Sequence, residues 1–229
     1  MRILSSLLLA ATLSLVPLTA ALAQGATLTV TGTATVETVP DLATLSLGVT
    51  TMGDTAGGAM KANSDAVAAV IARLKAAGVE DRDIQTSNLS LNPNWVSNSM
   101  GTGSEVQGYT ATNMVTIRVR AIANTGTVLD AAITDGANAL NGLFFSLQDP
   151  RPAEDEARIK AVADARARAT LLAEAAGTTL GPILSITEGG MASPMPGPMY
   201  RMDTAAAVPV EVGSVGVTAS VTLVFQIGE

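Results

Sequence analysis

The chain has no cysteine and no histidine. The first absence excludes disulfide staples, thiol nucleophiles and thiolate metal ligands. The second removes the commonest general base, most zinc sites and the usual nucleophile triads. Aromatic residues are scarce at 3%, and Trp95 is the single tryptophan. A basic excess is missing too, since the formal net charge is −7 at pH 7. Nucleic acid or an anionic membrane surface would want a positive patch, so neither is expected as a partner. No phosphate-binding loop is present either. Gly53 to Gly58 lacks the lysine and the spacing, and Gly101-Thr102-Gly103 has no helix after it.

What is there begins with a leader. Arg2 supplies a charged start, Ile3 to Val16 an apolar stretch, and Ala21-Leu22-Ala23 a small-x-small cleavage signature. Residues 1–23 are therefore expected to be a cleaved secretory signal peptide and 24–229 the mature domain. Beyond Ala23 no apolar run is long enough to span a bilayer as a helix. The expectation is an exported periplasmic protein with no transmembrane segment in its mature chain.

From Thr27 to Thr51 the residues alternate. Thr27, Thr29, Thr31, Thr33 and Thr35 interleave with Leu28, Val30, Gly32, Ala34 and Val36. Ala43, Leu45, Leu47 and Val49 continue the period of two beyond Val39-Pro40-Asp41. That is the pattern of half-buried antiparallel strands, read here as a pair turning at Pro40. Asp54-Thr55 can cap a helix that runs to about Ala77, with Gly78 placed to end it. Glu80-Asp81-Arg82-Asp83 reads as a solvated charged turn. Ile84 to Leu91 reads as a strand broken by Asn92-Pro93-Asn94, with a flexible loop at about 95–106. Trp95 is then a rim residue at a strand end, with an interface anchor as the alternative.

Gln107 to Arg120 is a long strand with Arg118 and Arg120 on its polar face, and Val128 to about Ala137 a short helix. Leu143 to Gln148 is another strand. The longest helix, about Ala153 to Ala176, carries acid-to-base pairs at Glu154–Arg158, Glu156–Lys160 and Asp164–Arg168. Its expected buried stripe is Ile159, Val162, Ala169, Leu172 and Ala176, and Gly177 ends it. Ile183 to Thr187 is a strand, 189–206 a flexible loop, and Val215 to Ile227 a closing strand. Adjacent strand pairs with interspersed helices predict an α+β fold, an antiparallel β-sheet packed with about three amphipathic helices.

Candidate chemistry is thin. The carboxylates fall in caps and exposed helix turns, so no catalytic or cofactor-binding residue is assigned. Met191, Met195, Met199 and Met202 recur every three to four residues in the Pro/Gly-rich loop. Thioethers suit Cu(I), which makes copper or small-molecule binding the alternative function. The same side chains would also serve as an oxidant sink. Incidental methionines in an irregular loop are the simpler reading, and no metal ligand is assigned.

Several short motifs occur in a characteristic order: Val30-Thr31-Gly32 with Pro40-Asp41, Gly78-Val79 with Asp83-Ile84-Gln85-Thr86, Gly108 to Asn113, and Gly136-Ala137-Asn138. Ala157-Arg158, Ala161, Asp164-Ala165, Ala169, Leu172-Ala173, Gly177 and Leu180-Gly181 extend the series. Through them the chain resembles the SIMPL-domain family of exported bacterial proteins, formerly a domain of unknown function, across about Thr27 to Ile227. The family includes a periplasmic immunogenic antigen. The resemblance implies a periplasmic or envelope α+β domain, a loose link to envelope or oxidative stress, ring-like assembly in at least one member, and no agreed catalytic residues. The expected function is non-catalytic, through self-assembly as a homo-oligomer or through binding a partner.

Overall fold

A computed structural model describes residues 25–97, 103–190, 192–196 and 210–228. Residues 1–23, expected to be a signal peptide, lie outside these. The elements in order are β1 (Thr27–Thr38), β2 (Leu42–Gly53), α1 (Ala56–Ala76), β3 (Ile84–Ser97), β4 (Ser104–Val119), α2 (Thr125–Thr134), β5 (Ala139–Ser146), α3 (Arg151–Ala176), β6 (Thr179–Glu188), β7 (Ala192–Pro196) and β8 (Val215–Gly228). The α+β class holds: all strand pairs are antiparallel, and three helices pack on them.

The strands form two sheets. One runs β3-β4-β2-β5, and the other runs β1-β8-β6 with β7 also paired to β8. The alternating strands of Thr27–Thr51 are thus not partners of each other. β1 pairs residue for residue with β8, from Thr27 opposite Gln226 to Thr38 opposite Val215, while β2 lies between β4 and β5. Alternation reports which face is buried, not which strand lies alongside. Pro40 has a fixed φ and no N–H, so the three residues at 39–41 pass the chain between sheets instead of closing a tight hairpin.

Each sheet has its own core. Leu45, Leu47 and Val49 of β2 and Val115 and Ile117 of β4 pack against Val67, Val70 and Leu74 of α1 and Val128 and Leu129 of α2. Thr55 caps α1, its side chain accepting the Gly58 N–H, and Gly78 leaves the helix at φ +91°. In the other sheet α3 covers Val30, Val36, Ala219, Val221, Leu223 and Phe225. Its three expected i,i+4 ion pairs all form.

The buried stripe of α3 differs from expectation. Ala157, Ala161, Ala165, Ala169 and Ala173 face the sheet, while Ile159 is 71% and Leu172 48% exposed. The reason lies across the interface at Gly32. A Cβ there would collide with the Ala161 carbonyl oxygen and the Ala165 amide nitrogen. Helix and strand backbones therefore approach too closely for any side chain larger than methyl.

The same approach protects the edge of β1. The Asp164 carboxylate accepts the Thr33 N–H at 2.9 Å, and Arg168, paired to Asp164, donates to the Thr31 carbonyl at 3.4 Å. The two side chains occupy backbone groups that would otherwise pair with another strand. Substituting Gly32→Ala is expected to lower stability by about 1–3 kcal/mol through overpacking. The exposed Thr29→Ala should change it by no more than about 0.5 kcal/mol. Urea unfolding of both variants checks the contrast.

Candidate functional site

The most concentrated polar chemistry is built around Asp83. Gly78 turns the chain out of α1, and a short 3-10 turn over Asp81–Asp83 leads into β3. Glu80, Asp81 and Arg82 are exposed, as a solvated turn requires, but Asp83 is buried, with only 3% of its surface exposed. That corrects the expectation for the fourth residue of the run. Arg120 donates from Nε to Oδ2 at 2.7 Å and from Nη2 to Oδ1 at 2.8 Å, a two-pronged contact. Arg118 adds Nε to Oδ1 at 3.2 Å and gives Nη2 to the Arg82 carbonyl at 3.1 Å.

Electrostatics follow from this geometry. The hydrogen bond from Arg120 holds the Asp83 carboxyl below the usual carboxylate range against the opposing effect of burial, and the charges of Arg120, Arg118 and Arg82 assist. The same bond raises Arg120. A carboxylate so stabilised in its charged form is a poor proton acceptor. A cavity of about 200 Å³ borders the cluster, lined in part by Gly78, Val79, Glu80 and Asn124. Its two arginines are offset by Asp83 and Glu80, so it offers no net charge to a ligand.

What the cluster does is join elements. Arg120 extends Nη1 to the Gln148 side-chain oxygen at 3.2 Å. Gln148 in turn gives its backbone N–H to Asp41 Oδ1 at 2.7 Å and its side-chain amide to the Asp41 carbonyl at 3.0 Å. Asp41 donates its own N–H to the Ser146 carbonyl at 3.1 Å. The network thus runs from the end of α1 to both points where the chain passes between sheets. Sequence reading placed Arg118 and Arg120 on a polar face but held no signal for the carboxylate they meet.

A second feature is apolar. β3 does not stop at Asn92 but continues through Pro93 to Ser97, and β4 starts at Ser104. Residues 95–97 and 104–106 of the expected loop at 95–106 are therefore strand, and 98–102 lie outside the described residues. Pro93 is tolerated because β3 is an edge. β2 ends at Gly53 opposite Tyr109, so Asn94–Ser97 and Ser104–Gly108 continue as a two-stranded ribbon. Leu89, Leu91, Pro93 and Trp95 recur at every second position of β3, all exposed, with Trp95 at 63% opposite Val106. Met52, near the end of β2, is exposed too.

The methionine run is only partly visible. Met195 lies in β7 opposite Gly216, where no regular structure was expected, and Met191, Met199 and Met202 lie outside the described residues. Among the described residues, no group of three or more His, Cys, Asp or Glu is placed to hold a metal ion. No helix among them is long and apolar enough to cross a membrane.

Comparison with known proteins gives a consistent picture. A family model described as SIMPL, protein of unknown function (DUF541), matches residues 28–225. A 26 kDa periplasmic immunogenic protein of Brucella melitensis is 38% identical over 216 residues, covering 89% of this chain and 86% of the relative. Its counterpart in Brucella abortus matches to the same extent. The uncharacterized protein YggE of Escherichia coli is 31% identical over 189 residues, covering 82% of this chain and 76% of the relative.

Removing the Asp83 charge tests the network. Asp83→Asn is expected to cost about 1–3 kcal/mol at pH 7, because it weakens charged hydrogen bonds at a buried site. The folded pKa is depressed, so the stabilisation is present above the ordinary carboxylate value of about 4 and is lost as pH falls through the folded value. Urea midpoints of wild type and variant should therefore lie apart at pH 7 and converge in strong acid.

Proposed function

The chain belongs to the SIMPL family, and from that premise we propose that it is a non-catalytic periplasmic protein that acts by self-association. The periplasmic setting is supported by the leader pattern at residues 1–23 and by the name of the Brucella relatives. The non-catalytic reading is supported by the chemistry available. Histidine and cysteine are absent, and the buried carboxylate of Asp83 is committed to two arginines.

The observation that carries the proposal is the apolar strip on the β3–β4 ribbon. A two-stranded ribbon is marginal in water unless something packs against it. This one presents the molecule's only tryptophan to solvent, and the exposed Leu89 and Leu91 continue the strip along β3 within the sheet. Tryptophan is among the residues that contribute most per side chain when an interface forms. Contiguous exposed apolar surface on a water-soluble fold is the usual mark of a protein contact. The outer face of β1, by contrast, carries threonine hydroxyls of the solvated kind.

Light scattering on the purified protein without residues 1–23 tests the reading. The expected mass is a multiple of the single chain at micromolar concentration. Trp95→Glu should lower that mass while leaving stability within about 0.5 kcal/mol, as for a surface site. A strict monomer at every concentration would refute self-association.

A further inference from the structure

The two sheets end in β1 and β6 and in β3 and β5, and three of these edges carry a device against further pairing. β1 is covered by Asp164 and Arg168, and β3 contains Pro93. β6 contains Pro182, shifts register twice against β8 and ends in Glu188, which is ion-paired to Arg158. Prolines, irregularities and charges of this kind keep an edge from recruiting another strand. Residues 142–146 of β5 have none of them: no proline, no charge, and an unbroken register with β2.

The direction of the free backbone groups follows from β2. Thr50 donates its N–H to Asn138 Oδ1 at 2.7 Å, and its carbonyl accepts Asn138 Nδ2 at 2.8 Å. The Gly48 carbonyl accepts the Asn138 N–H at 3.0 Å. Gly48 and Thr50 thus turn toward the β5 side, and by alternation along β2 so do Ser46 and Thr44. Their opposite numbers Gly142 and Phe144 bond back to β2, which points the N–H and C=O of Leu143 and Phe145 outward. Among the described residues no strand lies beyond β5, and Phe144 is 66% exposed.

A strand edge takes another strand, and the one that fits is β5 itself. We propose that β5 pairs antiparallel with β5 of a second copy, about a twofold axis at Phe144 normal to the sheet. The inference rests on the self-association reading and assigns a contact apart from the β3–β4 strip, at the opposite edge of the same sheet. Under the twofold, Leu143 exchanges both backbone bonds with the partner's Phe145, and Phe145 does so with the partner's Leu143. Phe144 meets the partner's Phe144 in a non-hydrogen-bonded pair, where Cα atoms approach to about 4.5 Å and an aromatic pair is favourable. Gly142 falls opposite the partner's Ser146, so small residues flank the two rings. Leu143 and Phe145 pack on the core beneath α1 and α2 and would carry it across the axis. No charge lies in the stretch, so the symmetry sets no like charges together.

Amide hydrogen exchange at residue resolution, on the protein without residues 1–23, tests the contact. At concentrations where the scattering mass exceeds one chain, Leu143 and Phe145 are expected to exchange within about ten-fold of the rate of Phe144, as bonded strand amides do. Phe144→Lys sets like charges opposite each other at the axis. With its circular dichroism unchanged, it should lower the mass about two-fold as the twofold contact is lost. Exchange at Leu143 and Phe145 should then rise by roughly ten-fold or more. Rapid exchange of these two amides in a wild-type assembly overturns the β5 contact while self-association stands. Slow exchange that persists in Phe144→Lys at wild-type mass overturns it as well, because something other than a second β5 then covers the edge. A wild-type protein that is monomeric throughout overturns both readings.

Discussion

Three hydrogen bonds at Asp41 fix the two places where the chain passes between its sheets. The chain passes between the sheets at residues 39–41 and again at 147–150. Asp41 ties these passages together, accepting the Gln148 amide and donating to Ser146. Pro40 beside it is fully buried. Because Gln148 also holds Arg120, the buried Asp83 braces the same place from the opposite side.

The second constraint is distance between backbones. Gly32 and the alanines of α3 bring helix and strand so close that the helix turns its larger residues outward. The same closeness lets Asp164 and Arg168 reach the edge of β1. Packing on one side of α3 thus produces both a guarded strand edge and an apolar outer ridge. The uncovered face of that sheet is polar, and its threonines pair across strands, Thr31 with Thr222 at 2.9 Å and Thr35 with Thr218 at 2.8 Å. One sheet therefore has a surface satisfied in water and, behind it, a helix that is not.

Much of the local structure was legible in the sequence because its causes are local. The period of two in β1, β2 and β8, the cap at Thr55, and the left-handed glycines at 78 and 177 are set by neighbours along the chain. What stayed hidden depends on distant residues. Periodicity favours burying Ile159 and Leu172, and only Gly32 decides otherwise. Asp83 looks like its solvated neighbours until Arg120, from β4, is placed on it. Pro93 breaks a strand in general, yet an edge position removes the objection. The candidate contact surfaces were the least legible part, since exposure belongs to the assembled fold and not to any segment.

The order of elements along the chain also has a temporal meaning. Residues 42–146 form the β3-β4-β2-β5 sheet with α1 and α2 as one unbroken stretch, whereas β1 must find β8 from the opposite end, Thr31 and Thr222 being 191 positions apart. Loop closure over such a separation is slow compared with local pairing. A chain emerging amino-terminus first would complete its inner sheet while β1 waited for the last strand to appear. During that interval the Thr31–Thr33 edge would lack the guard that α3 provides only later. The vulnerable moment in this protein's life is therefore its birth, before the final strand arrives.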